Sequence, residues 1–346
     1  MTIRVAHDVE QTGIHPVDVA MISLVQAMSL KKFVKPLVPK SILNALQHRS
    51  VEQLATRHGL AIRYAEGFIE LSKGDEVLRL GYGQQIYIQD CIQFFDFYFH
   101  SVKPLELRDR RLADFSGPRY HKVIGFDHFP ILFPSIPEPY ATLEQYLSFA
   151  QLKAGDVVFD LGVYVGLTSL VFSRLVGPEG AVYGFEADVV NFKAASENFE
   201  TARHCGAPDN ITLVNKAVWC HEDGLDFSSE GAMGSSAASI VGAGRGTIVK
   251  VPTTTLAAFC SKHGIHRVDF IKMDIEGAEI EVLESSKELL SQLKPRLIIE
   301  PHYVGGQLTA NRCCEILEKI GYTTQIVDQQ GASIPLIEAS PQFPKA

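Results

Sequence analysis

The sequence predicts an α/β fold built on a mostly parallel β-sheet, and two observations support this. From Asp156 onwards, apolar segments of strand length alternate with helical segments, which produces parallel sheets covered by helices on both faces. In addition, polar residues cluster where some of these strands end, as expected at the ligand-binding edge of such a sheet. The predicted strands cover residues 156–161, 181–186, 211–216, 268–274, 296–300 and 322–327, with a last one near 333–337.

The first polar cluster follows the strand at residues 156–161. An apolar run ends at Asp160, and Gly162 and Gly166 then precede a helical segment, which is the opening of a nucleotide-binding βαβ unit. The spacing is Asp-x-Gly-x-x-x-Gly and not the Gly-x-Gly-x-x-Gly of a dinucleotide site. A carboxylate at this strand end would repel a pyrophosphate but can hold an ammonium group. The cluster therefore favours S-adenosyl-L-methionine (SAM) as the ligand.

The next strand also ends in an acid, Glu186. An acid at the end of the second strand of an α/β sheet can accept hydrogen bonds from ribose hydroxyls. The alternative is that Asp160 caps a helix and Glu186 is a solvated loop residue. Because the two acids end consecutive strands, the cofactor interpretation is favoured.

The second polar cluster lies at residues 268–279, where a strand is followed by a helix. This strand should lie beside the first one at the switch point of the sheet, where ligands bind. Lys272 and Asp274 are two residues apart and therefore share one face of the strand. Glu276 and Glu279 are one helical turn apart. Ion pairing and helix capping could account for each residue separately, but four charged groups exceed what capping requires.

These motifs together resemble the FkbM-type family of SAM-dependent methyltransferases. The similarity extends from Tyr140 to Tyr303 and rests on four segments, at residues 160–166, 184–186, 251–256 and 272–279. The resemblance implies a Rossmann-like class I methyltransferase sheet of seven, mostly parallel strands. It also implies SAM-dependent methylation of a hydroxyl on a small molecule or sugar.

The predicted cofactor-binding residues are Asp160, Gly162, Tyr164, Gly166, Ser169, Glu186 and Ala187. The predicted catalytic residues are Asp274, Lys272 and Glu276. Asp274 or Glu276 would accept the proton of the acceptor hydroxyl, and Lys272 would orient that base or lower its pKa. In a second, less favoured version, a divalent cation would bind to Asp274, Glu300 and His302 and orient the hydroxyl.

The sequence departs from the usual family pattern at Val163-Tyr164, where the family usually has Ala-Asn, and at Asp188, which often is Pro. This departure supports an alternative function, that of a non-catalytic binding or regulatory protein on a methyltransferase-like scaffold. The intact acids of the first cluster and the complete run at residues 272–279 support catalysis.

Composition restricts the partners and the compartment. The formal net charge of −8 argues against a nucleic-acid-binding surface. The six cysteines form no Cys-x-x-Cys pair, and we expect reduced thiols in a cytoplasmic protein. No signal peptide is expected, and no segment reaches the roughly 20 apolar residues of a membrane span. The expected partner is a small hydroxylated acceptor, such as a sugar or secondary metabolite.

Two regions are expected along the chain: an N-terminal accessory region at residues 1–139, with helices followed by short strands, and a methyltransferase domain at residues 140–346. Helical patterns begin near Pro16, at Ser41 and at Val51. The accessory region is expected to determine substrate choice, assembly into a homo-oligomer, or both. The Gly- and Ser-rich segment at residues 224–250 is interpreted as a hairpin or loop over the site, with an ordinary surface excursion as the alternative.

Overall fold

The computed structural model describes residues 40–138, 140–241, 246–329 and 334–342; for residues 40–47 and 241 only the backbone is described. The helix predicted to begin near Pro16, the central part of the Gly-rich segment and residue 333 therefore lie outside the described residues. Residues 1–59 and 60–346 form two compact units, and each is described by itself. The predicted domain boundary at residue 139 stays a prediction.

In the first unit, helix α1 covers Lys40–Arg57. The sequence pattern predicted two helices here, one from Ser41 and one from Val51. They form a single helix because no Gly or Pro interrupts the segment. The helix ends before Gly59, whose φ of +70° is the left-handed conformation common just past a helix C-terminus.

The second unit begins with a five-stranded sheet in the order β1-β2-β3-β5-β4, in which only the β3–β5 pair is parallel. Gly67 and Gly74 supply the positive φ angles of its two tight turns. The strands are β1 Ala61–Ala65, β2 Phe68–Lys73, β3 Glu76–Gly81, β4 Leu105–Glu106 and β5 Arg111–Phe115.

The aromatic segment between β3 and β4 is helical, with a 3₁₀ helix at Tyr82–Tyr87, α2 at Ile88–Gln93 and α3 at Phe95–Ser101. A hairpin follows β5, formed by β6 at Arg119–Val123 and β7 at Phe126–Phe133. Gly125, with a φ of +90°, lies in the turn of this hairpin.

From Tyr140 onwards, helices and parallel strands alternate. The first elements are α4 Tyr140–Ala150, β8 Val157–Leu161, α5 Leu167–Val176, β9 Ala181–Phe185, α6 Val189–His204 and β10 Ile211–Val214. The side-chain amide of Asn198 on α6 bonds both the N–H and the carbonyl of Leu132 at 2.8 and 3.0 Å, and also the carbonyl of Val165 at 2.9 Å. This one side chain therefore joins the β6–β7 hairpin to the turn that follows β8.

An excursion of short strands separates β10 from the rest of the sheet. Strands β12 and β14 pair in antiparallel fashion, so the segment forms a hairpin as predicted. Its elements are β11 Ala217–Val218, β12 Leu225–Ser229, β13 Ser236–Ala237, α7 Ala238–Val241, β14 Thr247–Val251, β15 Thr253–Thr254 and α8 Leu256–His263.

The chain ends with β16 Phe270–Met273, α9 Glu279–Leu293, β17 Arg296–Ile299, β18 Tyr303–Val304, β19 Gln307–Leu308, α10 Ala310–Lys319, β20 Tyr322–Val327 and β21 Leu336–Pro341. The six predicted strands from residue 156 to 327 are present within one or two residues of their predicted ends. The last strand begins three residues later than the predicted 333 and extends further.

The main sheet has seven strands in the order β10-β9-β8-β16-β17-β21-β20. The strands from β10 to β17 are parallel, and β21 is antiparallel to both its neighbours. The chain passes from β8 to β9 on one side and later to β16 on the other, so β8 and β16 form the switch point, as predicted. In their register Asp160 is opposite Lys272.

Two apolar cores cover the faces of the sheet. One contains Val158, Leu170 and Phe172 together with the apolar side chains of β7, and the other contains Phe159 and Phe259 together with the apolar faces of α9 and α10. Because both faces of the sheet are buried, a ligand can reach it only at the ends of the strands. Among the helices described here, none combines the length and apolar character needed to cross a bilayer.

Candidate active site

A cleft lies at the carboxyl ends of β8, β9 and β16. Its empty space, including the part open to solvent, is about 770 Å³. Its lining combines apolar side chains with charged ones. The apolar side chains include Phe185, Val218, Trp219, Leu225 and Phe227, and the charged ones are Glu138, Glu186, Lys216, Asp274 and Glu276.

Gly162 allows the residues that follow β8 and β16 to pack in direct contact beneath the cleft. Its φ is +84°, and a Cβ at this position would lie 1.7 Å from the carbonyl oxygen of Asp274. The N–H of Asp274 in turn donates to the carbonyl of Leu161 at 3.0 Å. Glycine is thus required here by the contact with Asp274 alone. The missing side chain also leaves room for a ligand that approaches the loop.

Gly166 has a different role from the one predicted. It precedes α5 with a φ of +86°, and a Cβ there would lie 2.3 Å from the ring of Phe199 on α6. The glycine therefore allows α6 to pack against the turn. Gly166 does not line the cleft.

A buried ion network lies behind the cleft wall. Ser169 Oγ donates to Asp160 Oδ2 at 2.5 Å, and Lys272 Nζ lies 3.5 Å from Asp160 Oδ1 and 3.6 Å from Asp274 Oδ2. Lys272 Nζ also donates to the carbonyl of Gly162 at 2.6 Å. Asp160, Ser169 and Lys272 do not line the cleft. Asp160 and Ser169 were predicted to bind the cofactor and Lys272 to orient the base; in the structure the three contact one another behind the loop that follows β8.

The charges in this network depend on one another. Burial opposes the charge of Lys272, but the nearby carboxylates, Asp274 and Asp160 above all, outweigh it and raise the pKa of the lysine above its usual range. Burial raises the pKa of Asp160, and Lys272 acts in the opposite direction. The ammonium group therefore acts against the effect of burial on the charge of Asp160.

Glu186 and Ala187, two of the predicted cofactor-binding residues, follow β9 and line the cleft. Glu186 Oε2 accepts the backbone N–H of Tyr164 at 2.7 Å, and Oε1 accepts that of Asp188 at 2.8 Å. Burial raises the pKa of Glu186 to about 8, while these two N–H groups act to lower it. The carboxylate is thereby held in a fixed orientation between the first loop and the start of α6.

Tyr164 occupies a backbone conformation that non-glycine residues seldom adopt, with a φ of +51°. Asparagine, which the family usually has here, tolerates this region better than tyrosine does. The tyrosine hydroxyl donates to the carbonyl of Ile136 at 2.6 Å, and its ring packs beside Phe133. The side chain is 7% exposed. It is directed towards residues 133–136 while part of the residue lines the cleft.

Two cleft residues were missed by the sequence analysis. Glu138 was assigned to a Pro-rich hinge, but it lines the cleft and accepts a hydrogen bond from Thr168 Oγ1 at 2.8 Å. Its Oε2 is buried and has no hydrogen-bond partner among the described residues. Trp219, the single tryptophan of the chain, follows β11 and is one of the apolar residues that line the cleft. The sequence offered one indication for Trp219, namely that it is the only tryptophan. Nothing in the sequence indicates that Glu138 belongs to the site.

Three residues predicted for the site, Asp274, Glu276 and His302, lie close together, and Glu279 contacts the same histidine ring. His302 Nε2 lies 3.6 Å from Asp274 Oδ1 and 3.6 Å from Glu276 Oε1. On the other side of the ring, Nδ1 lies 2.9 Å from Glu279 Oε1. Burial opposes the charge of His302, but Glu276 and Glu279 outweigh it and raise its pKa well above the usual range. Burial raises the pKa of Glu276 to about 7, against the influence of His302.

Glu300 takes a different position from the one predicted in the metal set. Its Oε2 accepts hydrogen bonds from the hydroxyl of Tyr146 at 3.1 Å and from Gln329 Nε2 at 3.2 Å. Burial, followed by the charge of Asp274, raises the pKa of Glu300 to about 7. In the structure it is Glu276 that accompanies Asp274 and His302.

The variant Glu138→Gln is expected to change how the free energy of unfolding depends on pH. Burial raises the pKa of Glu138 from 4.5 to about 7, against the charge of Lys272, so between these values the folded protein holds a proton that the unfolded chain has released. The free energy of unfolding therefore falls as pH rises through this interval, by about 1.4 kcal/mol per pH unit for this group. Glutamine cannot titrate and should remove that slope.

Urea unfolding at several pH values between about 5 and 7 measures the slope for both proteins. Glutamine keeps an oxygen for Thr168, so the variant is expected to fold. Glu315→Gln, at a position 57% exposed, serves as a control and should retain the slope of the unmodified protein. Equal slopes in all three proteins would contradict the prediction.

The strand order, the antiparallel seventh strand and the cleft at the switch point define the class: this is a class I, Rossmann-like methyltransferase fold. Residues 160–324 match the family model of the methyltransferase FkbM domain. The predicted fold and family are thereby confirmed, and the SAM cofactor predicted with them agrees with the assignment.

Solved structures with similar folds include the methyltransferase FkbM from Methylobacillus flagellatus, at 16% identity and a TM-score of 0.41 over 58% of this chain and 48% of the other. This chain thus spans about half the length of that protein. A SAM-dependent methyltransferase from Aquifex aeolicus matches at 17% identity and a TM-score of 0.34 over 57% and 88% of the two chains. A SAM-dependent O-methyltransferase from Thermotoga maritima matches at 12% and 0.36 over 60% and 68%. No curated protein sequence shows a significant match.

Proposed function

We propose that the protein uses SAM to methylate a hydroxyl group of a small molecule, such as a sugar or secondary metabolite. The observation that carries the proposal is that one cleft is lined both by apolar side chains and by carboxylates. The apolar residues around Trp219 suit an adenine ring, and Asp274 and Glu276 suit the hydroxyl of an acceptor. The cleft lies at the switch point of the sheet, where cofactors of α/β proteins bind.

The cofactor would contact residues that follow β8 and β9, together with Glu138 in the segment before α4. Glu186 offers carboxylate oxygens for ribose hydroxyls, and Ala187 lies beside it in the lining of the cleft. The backbone of Gly162 and Tyr164 forms the adjoining surface. The unpartnered Oε2 of Glu138 is suited to the ammonium group of the methionine part. Asp160, Gly166 and Ser169 act from behind this surface by holding the loop.

Bound SAM supplies a methyl group on a sulfonium, which transfers in line to the acceptor oxygen while the hydroxyl loses its proton. The protein must align the two groups and accept that proton. Asp274 or Glu276 is the proposed base, since both line the cleft. The pKa of Glu276, raised by burial to about 7, lies near the pH at which a general base is most effective. Lys272 keeps Asp274 oriented from behind.

The variant Asp274→Asn is expected to bind SAM within about threefold of the unmodified protein but to lose methyl transfer by a factor of about 10²–10⁴. Because Trp219 is the single tryptophan and lies in the cleft, its fluorescence should change saturably on titration with SAM or S-adenosylhomocysteine. Transfer is measured as S-adenosylhomocysteine formed with a panel of hydroxylated sugars and phenols.

Asp226→Asn is the matched control, because Asp226 is 57% exposed and pairs with Lys250 on the surface. It should leave both binding and transfer unchanged. Unchanged transfer in Asp274→Asn would refute the assignment of Asp274. Absence of SAM binding at millimolar ligand would refute the cofactor proposal and favour a non-catalytic binding protein, the function that the departure at Tyr164 supports.

A further inference from the structure

Three potential ligand atoms, one each from Asp274, Glu276 and His302, lie close together beside the cleft. His302 Nε2 is 3.6 Å from an oxygen of Asp274 and 3.6 Å from an oxygen of Glu276. The three atoms all lie within 4.8 Å of one another. Ligand atoms that share a first-row cation at about 2.0–2.2 Å each are about 3 Å apart in octahedral geometry. Small side-chain rotations would therefore bring all three onto one ion.

The histidine is oriented for such a role by a carboxylate on its other side. Glu279 is 0% exposed, and its Oε1 lies 2.9 Å from His302 Nδ1. Glu279 is itself fixed, because Oε1 accepts the N–H of Gly277 at 2.9 Å and Oε2 accepts the hydroxyl of Thr309 at 3.1 Å. Metal-binding histidines commonly have their second nitrogen held by a carboxylate in this way. The arrangement directs Nε2 towards Asp274 and Glu276.

The three residues follow two neighbouring strands of the sheet. Asp274 follows β16, His302 follows β17, and Glu276 lies in the turn before α9, where its φ of +54° turns the chain. Carboxylates outnumber cations in this region, where Lys272 and His302 face Asp160, Asp274, Glu276, Glu279 and Glu300. A cluster with an excess of negative charge favours the entry of a cation.

We propose that Asp274, Glu276 and His302 form a binding site for one divalent first-row cation of the Mn²⁺ type. Two carboxylate oxygens and one imidazole suit a cation that accepts both hard oxygen and nitrogen ligands. Three protein ligands, each binding through one atom, leave coordination positions for the hydroxyl oxygen of an acceptor. The oxygen of Asp274 or Glu276 that does not bind the ion remains the proposed base. In these two respects the inference rests on the proposed function; the cation site itself does not.

The set differs from the one predicted from the sequence. Glu300 accepts hydrogen bonds from Tyr146 and Gln329, and these bonds hold its Oε2 in place. Glu276 supplies the third ligand atom instead. The competing explanation is that a protonated His302 alone balances Asp274 and Glu276, with no cation. The two explanations differ in whether the chelator-treated protein takes up a metal ion.

The test is a titration of the chelator-treated full chain with Mn²⁺, in which the electron paramagnetic resonance signal reports the free ion. We expect one ion bound per chain. Glu276→Gln and His302→Gln should each weaken binding at least about tenfold, and Glu279→Gln should weaken it about 10–100-fold through loss of the oriented ring. Glu300→Gln and the exposed Glu315→Gln should stay within about threefold of the unmodified protein.

Circular dichroism shows whether each variant folds, and the titration with SAM is carried out on the same preparations. Absence of Mn²⁺ binding by the folded, unmodified protein would overturn the inference. So would binding that Glu276→Gln and His302→Gln both leave unchanged, or binding that only Glu300→Gln removes. If Mn²⁺ binds and SAM does not, the cation site stands and the proposed function fails; the reverse result has the opposite meaning.

Discussion

The variant Lys272→Met is expected to lower the free energy of unfolding by about 3–5 kcal/mol. The lysine side chain is 3% exposed, and its Nζ lies between Asp160 and Asp274 at 3.5 and 3.6 Å. Removal of the ammonium group leaves a completely buried carboxylate, Asp160, with no cation beside it. A buried charge that loses its partner costs much more than the pair contributes when it is intact. The variant also loses the bond to Gly162 that holds the cofactor loop.

Urea unfolding measures this effect, and a surface lysine provides the control. Lys250 is 86% exposed and pairs with Asp226 at 3.0 Å, so Lys250→Met should change the free energy of unfolding by less than about 1 kcal/mol. Addition of Asp160→Asn to Lys272→Met should recover part of the loss, because it removes the unpaired charge. A loss of less than about 1 kcal/mol in Lys272→Met would contradict the buried network.

The variant Gly162→Ala is expected to be the most damaging single-methyl change at the site, with a loss of at least about 4 kcal/mol or failure to fold. Its φ of +84° is unfavourable for alanine, and the new Cβ would lie 1.7 Å from the carbonyl oxygen of Asp274. To relieve that overlap, β8 and β16 would have to separate at the switch point. Such a separation would also break the Asp274–Leu161 backbone hydrogen bond.

Gly155 is an unusually close control. Its φ is also +84°, but a Cβ there would have no neighbour within 4 Å. Gly155→Ala should therefore show only the conformational cost, roughly 1–2 kcal/mol. The difference between the two variants isolates the contribution of the close contact between Gly162 and the carbonyl of Asp274. Equal destabilisation of the two proteins in thermal or urea unfolding would contradict that close contact.

The fold was largely predictable because its strands are short apolar runs separated by helices. The six strands before residue 330 were located within a residue or two of their ends, since most of them are bounded by Gly or by charged residues, and β10 is bounded by Asn210 and Asn215. The hairpin at residues 119–133 was located less well, because Ile124 and Gly125 form a turn inside an apolar stretch. The single helix α1 was divided in two because its apolar residues do not follow one continuous helical stripe.

The site was predictable to a smaller extent. Glu186, Asp274 and Glu276 line the cleft, whereas Asp160, Ser169 and Lys272 lie behind its wall. Alternation along a strand indicates which face a side chain occupies but not whether another chain segment covers it. Glu138 was missed because its position in the cleft depends on contacts with Thr168 and Lys272, which are far from it in the sequence.

Local pattern and spacing were sufficient for the class of fold, the positions of its main strands and the family of its methyltransferase domain, because those depend on periodicity and on short motifs. The tertiary structure alone decided which charged groups reach the cleft, and it replaced Glu300 by Glu276 beside Asp274 and His302. The reason is physical: distances between side chains on different strands depend on register, on burial and on which turn the backbone takes. Glu276 reaches His302 because its φ is positive, and no motif specifies that conformation.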